Sequence, residues 1–288
     1  MKVLNFGSMN IDYVYDVEDF VQGGQTISSK DLHIFSGGKG LNSSIALSKA
    51  GVFVYHAGAV GTEGVFLLNL MKEQGICTDL VQVLEEEKTG HAIIQKNKNG
   101  ENCILLYGGA NQRISKDYID QVLNHFEKGD LLILQNEISN LKYIVEEAYK
   151  KGMILVLNPS PMDDKILELD FNKIDICILN EHEAKRLQGI EYLKYSYPNM
   201  RIVLTLGSQG SIYTDKKETI TQEAYPVHVV DTTGAGDTFT GYFLAGVVEG
   251  KSIQDAMKQA TKAASIAVTR LGAAPSIPTK EEVLNIKL

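Results

Sequence analysis

Four short apolar runs constrain this chain most: Leu131 to Leu134, Ile154 to Leu157, Ile176 to Leu179 and Ile202 to Leu206. None alternates polar and apolar residues as a strand with one wet face does, so each reads as a strand covered on both faces. A helical pattern lies between two of them, from about Leu141 to Lys150, with Ile144, Val145 and Ala148 inward and Gly152 as the stop. Strand, helix and strand in succession predict an α/β fold. Its central sheet is mostly parallel, with helices on both faces and right-handed crossovers.

Two regions break the alternation. Residues 11–35 carry alternating and aromatic residues around Gly23-Gly24, and residues 89–108 read as two strands about the turn Asn97-Lys98-Asn99-Gly100. They read either as a small sheet of their own or as edge strands of the main one. No repeat, charge block or low-complexity linker divides the 288 residues, so a single domain spanning 1–288 is expected.

The run Asp231-Thr232-Thr233-Gly234-Ala235-Gly236-Asp237 carries the clearest chemistry. A strand-like segment, Tyr225 to Val230, leads into it. A helical stripe of Phe239, Phe243 and Val247, flanked by Leu244 and Val248, follows. Glycines at a helix start let a ligand approach the backbone, and amides there favour an anion such as a transferring phosphate. A carboxylate beside that anion makes sense as the acceptor of a proton from an attacking hydroxyl. More simply, the glycines make a turn and Asp237 favours the helix dipole.

Other polar groups follow strand ends, where open parallel sheets bind ligands. Asn10 and Asp12 can donate to and accept from a diol. Gly37-Gly38-Lys39-Gly40-Leu41-Asn42 opens a helix packing Leu41 and Ile45 and ending near Gly51, and it lacks the pattern of a Walker A loop. Glu137 follows Leu131 to Gln135 and also reads as a helix-start carboxylate. Asn180 reads as a helix cap, or with Glu183 as a group organising the water shell of Mg²⁺. Thr205-Leu206-Gly207-Ser208-Gln209-Gly210 reads as a hairpin, or as a platform for a flat base or phosphate.

A net charge of −8 argues against a broad nucleic-acid surface. Three widely spaced cysteines, Cys77, Cys103 and Cys177, give no disulfide framework or zinc motif, which suits a reducing cytoplasm. His182, in Glu181-His182-Glu183, reads as a surface residue. No stretch is long and apolar enough to span a membrane, and the first residues do not form a signal peptide.

In their order along the chain, Asn10-x-Asp12, Gly37-Gly38-Lys39-Gly40-x-Asn42, Glu137, Asn180-x-x-Glu183, Thr205-x-Gly207-Ser208-x-Gly210 and Asp231 to Asp237 resemble the ribokinase-like (PfkB) family of carbohydrate kinases. Gly109-Ala110-Asn111, Asn158-Pro159 and Ala267 to Ala273 strengthen the similarity to its ribokinase branch. The resemblance implies transfer of the ATP γ-phosphate to a sugar hydroxyl, with ribose to ribose 5-phosphate as the leading reaction. Fructose, deoxyribose or a nucleoside is the alternative substrate, and a non-catalytic sugar or nucleotide sensor the alternative role.

By the same resemblance Asp237 is the base, and the amides of Gly234, Ala235 and Gly236 form the anion hole. Asn10, Asp12, Gly38, Lys39, Asn42 and Glu137 hold the sugar. Asn180, Thr205, Gly207, Ser208, Gly210 and Thr261 line the nucleotide site, Thr261 standing where the family often places His or Asn. Glu183 serves Mg²⁺ through water, and Asp231, Thr233, Ala267, Arg270, Gly272 and Ser276 serve a potassium-type monovalent cation. The two strand-rich insertions become a lid and the contact of a homodimer. A nucleoside substrate is expected to show Tyr13, Tyr15 or Tyr107 stacked over the site.

Overall fold

The chain is described by a computed structural model over residues 1–286. Its elements run in the order β1 (Val3–Phe6), β2 (Asn10–Asp16), β3 (Asp31–Gly37), α1 (Lys39–Lys49), β4 (Val54–Val60), α2 (Val65–Glu73), β5 (Cys77–Val83), β6 (Gly90–Lys96) and β7 (Asn102–Tyr107). There follow α3 (Lys116–Leu123), β8 (Leu131–Gln135), α4 (Leu141–Lys151), β9 (Ile154–Asn158), β10 (Ile176–Asn180), α5 (Glu181–Arg186), α6 (Ile190–Ser196) and β11 (Arg201–Thr205). The chain continues through β12 (Ser211–Thr214), β13 (Thr219–Gln222), α7 (Ala235–Val248), α8 (Ile253–Ala267) and α9 (Lys280–Asn285).

The apolar runs are buried strands because both of their faces are covered. In β8, Leu131 and Ile133 enter one core while Leu132 and Leu134 enter the other. β10 divides the same way, Ile176 and Ile178 against Cys177 and Leu179. Side chains from α1, α2, α7, α8 and α9 fill the first core, and α3, α4, α5 and α6 fill the second. The predicted α4 has Ile144, Val145 and Ala148 buried and ends on Gly152 with φ 75°, the left-handed cap expected of a glycine.

The main sheet has nine strands in the order β13-β12-β11-β10-β9-β8-β1-β4-β5. Its pairs are parallel except β11 with β12 and β12 with β13. From β1 the chain builds outward through β4 and β5, then returns to build the other way from β8. The order therefore reverses between β1 and β8, and a ligand crevice opens at the carboxyl end of such a reversal.

The strand-rich insertions form a separate four-stranded sheet, β3-β2-β6-β7, rather than edges of the main sheet. β2 and β6 run parallel in its middle, and β3 and β7 flank them antiparallel. Along β2, Asp12 faces one side and Tyr13 the other, as strand alternation requires.

One expected strand is absent. Residues 225–230 join no sheet; Val229 and Val230 are exposed, and the amides of Val230 and Asp231 donate to the carbonyl of Val268. Aromatic and β-branched residues imitate strand composition, but this segment pairs with no strand, although the neighbouring β13 is an edge strand. The strand at Arg201–Thr205 also stops one residue short of Leu206, whose amide instead bonds Gly210 across the hairpin.

Candidate active site

The reversal between β1 and β8 brings Ser8 and Glu137 together. The Ser8 hydroxyl donates to Glu137 Oε2, and the Lys39 amide donates to the same oxygen at 2.9 Å. Glu137 therefore ties the end of β8 to the start of α1 rather than opening α4, which begins after Asn140. Burial raises the Glu137 carboxyl above its ordinary range, against the opposing pull of Lys39. Asn10 is also held: Asn111 Nδ2 donates to Asn10 Oδ1 at 2.8 Å. Burial, with Glu137 nearby, raises the Asp12 carboxyl to about 6.

Asp237 lies in the first turn of α7 and is only 5% exposed. Asn42, in α1, donates to Asp237 Oδ2 at 2.9 Å. The two helices meet closely at Gly241, where an added Cβ would lie 2.4 Å from Ala46 Cβ. Burial raises the Asp237 carboxyl, while the Lys39 charge and the Asn42 hydrogen bond partly offset that effect. Burial disfavours the Lys39 ammonium, yet Asp237, Glu137 and Glu183 outweigh it, so its pKa is raised and the side chain stays charged.

The turn before α7 leaves backbone donors available. Gly234 takes φ 73°, a conformation that side chains resist, and caps the helix. Among the described residues, the amides of Gly234 and Gly236 find no partner within the protein, whereas that of Ala235 donates to the Thr232 carbonyl at 3.2 Å. Two of the three amides expected for an anion are thus free, and the third is shared with the turn.

A cavity of about 220 Å³ is lined by Lys39, Asn180, Glu183, Gly234, Gly236 and Asp237 together. It adjoins a larger one of about 570 Å³, with Thr205, Thr232 and Gly236 on both walls. Gly207, Ser208, Gly210 and Thr261 line the larger cavity. Lys39 lies on the wall shared with the free amides and Asp237.

Of the two readings of Asn180, the structure shows the cap. Its side chain accepts from the Glu183 amide at 3.0 Å, and the Asn180 amide donates to Glu183 Oε2 at 2.9 Å, a capping box. That box buries Glu183 with one carboxylate oxygen free of it. His182, as expected, is exposed, and the three cysteines are free thiols.

Asp231 clamps the turn before α7. Its Oδ1 accepts from Thr233 N at 2.9 Å and Thr233 Oγ1 at 2.7 Å, and its Oδ2 accepts from Gly272 N at 2.9 Å. Arg270 turns its guanidinium to Glu282 at 2.6 Å, and Ser276 donates to the Ala273 carbonyl. Ala267 accepts from the Arg270 amide. The three hydrogen bonds keep the Asp231 carboxyl below its ordinary value although burial acts the other way.

Sequence reasoning missed Ser8, and it used Asn111 only as a mark of resemblance. Ser8 follows Gly7 at the carboxyl end of β1, a position that could have flagged it. It also missed Phe239 and Ala264 as walls of the larger cavity, because each also packs in or against the core, and Val268 beside them.

A strand-end crevice with a buried carboxylate, free helix-start amides and a retained lysine defines a phosphotransferase acting on a small alcohol. The chain belongs to the pfkB family carbohydrate kinases, whose model matches residues 1–280. It is 34% identical to a ribokinase of Staphylococcus aureus, with 98% of each chain covered. Among solved structures it resembles ribokinase from Cryptococcus neoformans in complex with ADP, at TM-score 0.85, 33% identity and 98% coverage of each chain. It also resembles Arabidopsis thaliana ribokinase complexed with ribose and ATP, at TM-score 0.84 and 31% identity, covering 98% of this chain and 97% of that one.

Proposed function

We propose that this protein is an ATP-dependent ribose kinase producing ribose 5-phosphate. The observation that carries the reading is the buried Asp237 carboxylate, held by Asn42 in one cavity with the free amides of Gly234 and Gly236. Asp237 accepts the proton of the 5-hydroxyl as its oxygen bonds to the γ-phosphorus and the bond to the β-phosphate bridging oxygen breaks. A buried carboxylate suffices because the alcohol becomes acidic only as that bond forms. The amides and Lys39 face the negative charge spreading over the phosphoryl oxygens without having to reorganise.

Asn10, Asp12, Gly38, Asn42 and Glu137 surround the sugar. Asn42 Oδ1 is buried and without a partner, an acceptor that a sugar hydroxyl would satisfy. The adjoining larger cavity takes the nucleotide. Glu183 suits Mg²⁺, which keeps most of its waters and needs few carboxylates. Bound there, Mg²⁺ neutralises phosphate charge. The oxygens of Asp231, Thr233, Ala267, Arg270, Gly272 and Ser276 would supply a hard, all-oxygen set for a monovalent cation, and of these Asp231 is tied to Thr233 and Gly272 beside the turn that carries the free amides.

The four-stranded sheet serves as a lid that excludes water, within a single domain. Its face opposite Asp12 carries Leu32, Ile34, Ile93, Leu105 and Tyr107, all exposed, which suits a homodimer. Tyr13 and Tyr107 both pack on His91 on that same face. They are therefore placed to support the lid rather than to stack a nucleoside base over Asp12. A cytoplasmic site of action fits these substrates.

The test is a coupled ADP assay with Mg-ATP and a panel of ribose, deoxyribose, fructose and nucleosides, run in K⁺ and again in Na⁺ and Tris. Ribose should give the highest kcat/KM, and K⁺ the fastest turnover. An absence of ribose-dependent ADP release would overturn the reading.

A further inference from the structure

The wall of the 570 Å³ cavity has an unusual chemistry for a site that reads a base. Among the described residues, no side chain lining it is charged or carries an amide. Val227, Val229, Phe239, Ala264 and Val268 give it an apolar surface, and its polar side-chain groups are hydroxyls. One of these, Thr261 Oγ1, is buried without a hydrogen-bond partner in a residue only 5% exposed. A buried hydroxyl without a partner is a cost to the free protein that a ligand can remove.

Adenine and guanine present opposite polarity at neighbouring edge positions. Adenine offers an exocyclic amino donor beside an acceptor nitrogen, and guanine a carbonyl acceptor beside an N–H donor. Rejecting one requires a group whose polarity is fixed, because only such a group is left unpaired by the wrong base. A hydroxyl rotates and can donate or accept. The main-chain groups that border the cavity between Ala224 and Val229 belong to a segment that joins no strand or helix.

We infer that this cavity admits purine nucleoside triphosphates without choosing between adenine and guanine, the Thr261 hydroxyl meeting the edge of either base. The inference rests on the kinase reading only for turnover. GTP then serves as phosphoryl donor in the same reaction, its γ-phosphoryl passing to the sugar oxygen and GDP leaving.

Two measurements separate this inference from the reading beneath it. The first is kcat/KM with Mg-ATP and Mg-GTP at saturating ribose. The second is calorimetric binding of ADP and GDP to the full chain without sugar. The two donors should agree within tenfold, and so should the two dissociation constants. Binding of ADP more than tenfold tighter than GDP overturns the inference, whatever the turnover. Equal binding of both with no turnover by either supports the inference and overturns the kinase reading. Thr261→Val should raise KM about fivefold for ATP and GTP alike with kcat unchanged, and Thr261→Ser should restore both. Thr261→Val should also raise the melting temperature of the ligand-free protein, because an unpartnered hydroxyl is removed. A rise in KM for ATP alone would mean that Thr261 reads the adenine amino group, which also overturns the inference.

Discussion

Asn42 donates to Asp237 at 2.9 Å, and each residue stands one helical turn from a tight contact between α1 and α7, Ala46 against Gly241. Residues four apart share a helix face. The packing of the two helices therefore sets the geometry of the proposed base, and the hydrogen bond holds its rotamer. The relation joins residues 195 positions apart in sequence.

Replacing the carboxylate tests its role in proton transfer. Asp237→Asn keeps size and the contact with Asn42 but cannot accept a proton. We expect kcat to fall by roughly 10²–10⁴, as for other general bases, while calorimetry still detects ribose and ADP. A variant turning over near the wild-type rate would remove Asp237 from that role.

The Asn42 amide lowers the Asp237 pKa from the raised value that burial imposes. Asn42→Ala removes that effect, so the pKa rises further and the base is protonated at higher pH. The acid limb of the kcat profile should move upward, because a hydrogen bond that favours the charged carboxylate is lost. An unmoved limb would show that the bond does not tune the base.

Gly241→Ala places a methyl group 2.4 Å from Ala46 Cβ and 2.9 Å from Leu47 N, so the helices must part. Overpacking of this kind costs about 1–3 kcal/mol. Thermal unfolding should show a loss of several degrees, and kcat should fall although no group in contact with substrate has changed. Unaltered stability would mean that the crossing is more compliant than its geometry indicates.

Asp12 has a folded pKa of about 6 against an ordinary 3.8. The folded state therefore holds the proton more tightly than the unfolded state. This contribution to stability is full below pH 3.8 and is lost as pH rises through about 6. Asp12→Asn should therefore stabilise the ligand-free protein at pH 7.5, by about 1 kcal/mol after discounting for residual solvent contact. The gain should vanish near pH 4 in melts across the range. In the wild type, KM for ribose should rise below about pH 6, because a protonated Asp12 accepts one hydrogen bond fewer.

Leu105 is 68% exposed in β7, on the lid face that also carries Ile34 and Ile93. Sedimentation should show a homodimer for the wild type and a monomer for Leu105→Arg, since a charge at the centre of an apolar interface is left unpaired. A wild-type monomer, or an arginine variant that still dimerises, would move the contact elsewhere.

Periodicity made the core strands readable, since a run such as Leu131 to Leu134 needs cover on both faces wherever it lies. It failed at Tyr225 to Val230, where composition imitates a strand but the backbone at its end bonds Val268 rather than a strand. Local chemistry suggested Asn180 as a cap, and the capping box with Glu183 bears that out. Ser8 went unread because a single serine carries no pattern. Its meaning comes from Glu137, 129 residues away.

The sequence by itself determined the layers, the core strands and the glycine turn before α7, because these depend on residue order over a few positions, whereas the separate four-stranded sheet was decided by tertiary pairing. Only the tertiary structure decided that Asn42 reaches Asp237, that Lys39 shares a wall with the free amides, and that Asp231 reaches Gly272. Those contacts depend on how helices and strands distant in the chain pack together. Burial then shifts the charge of each acid by an amount that its neighbours along the chain do not set.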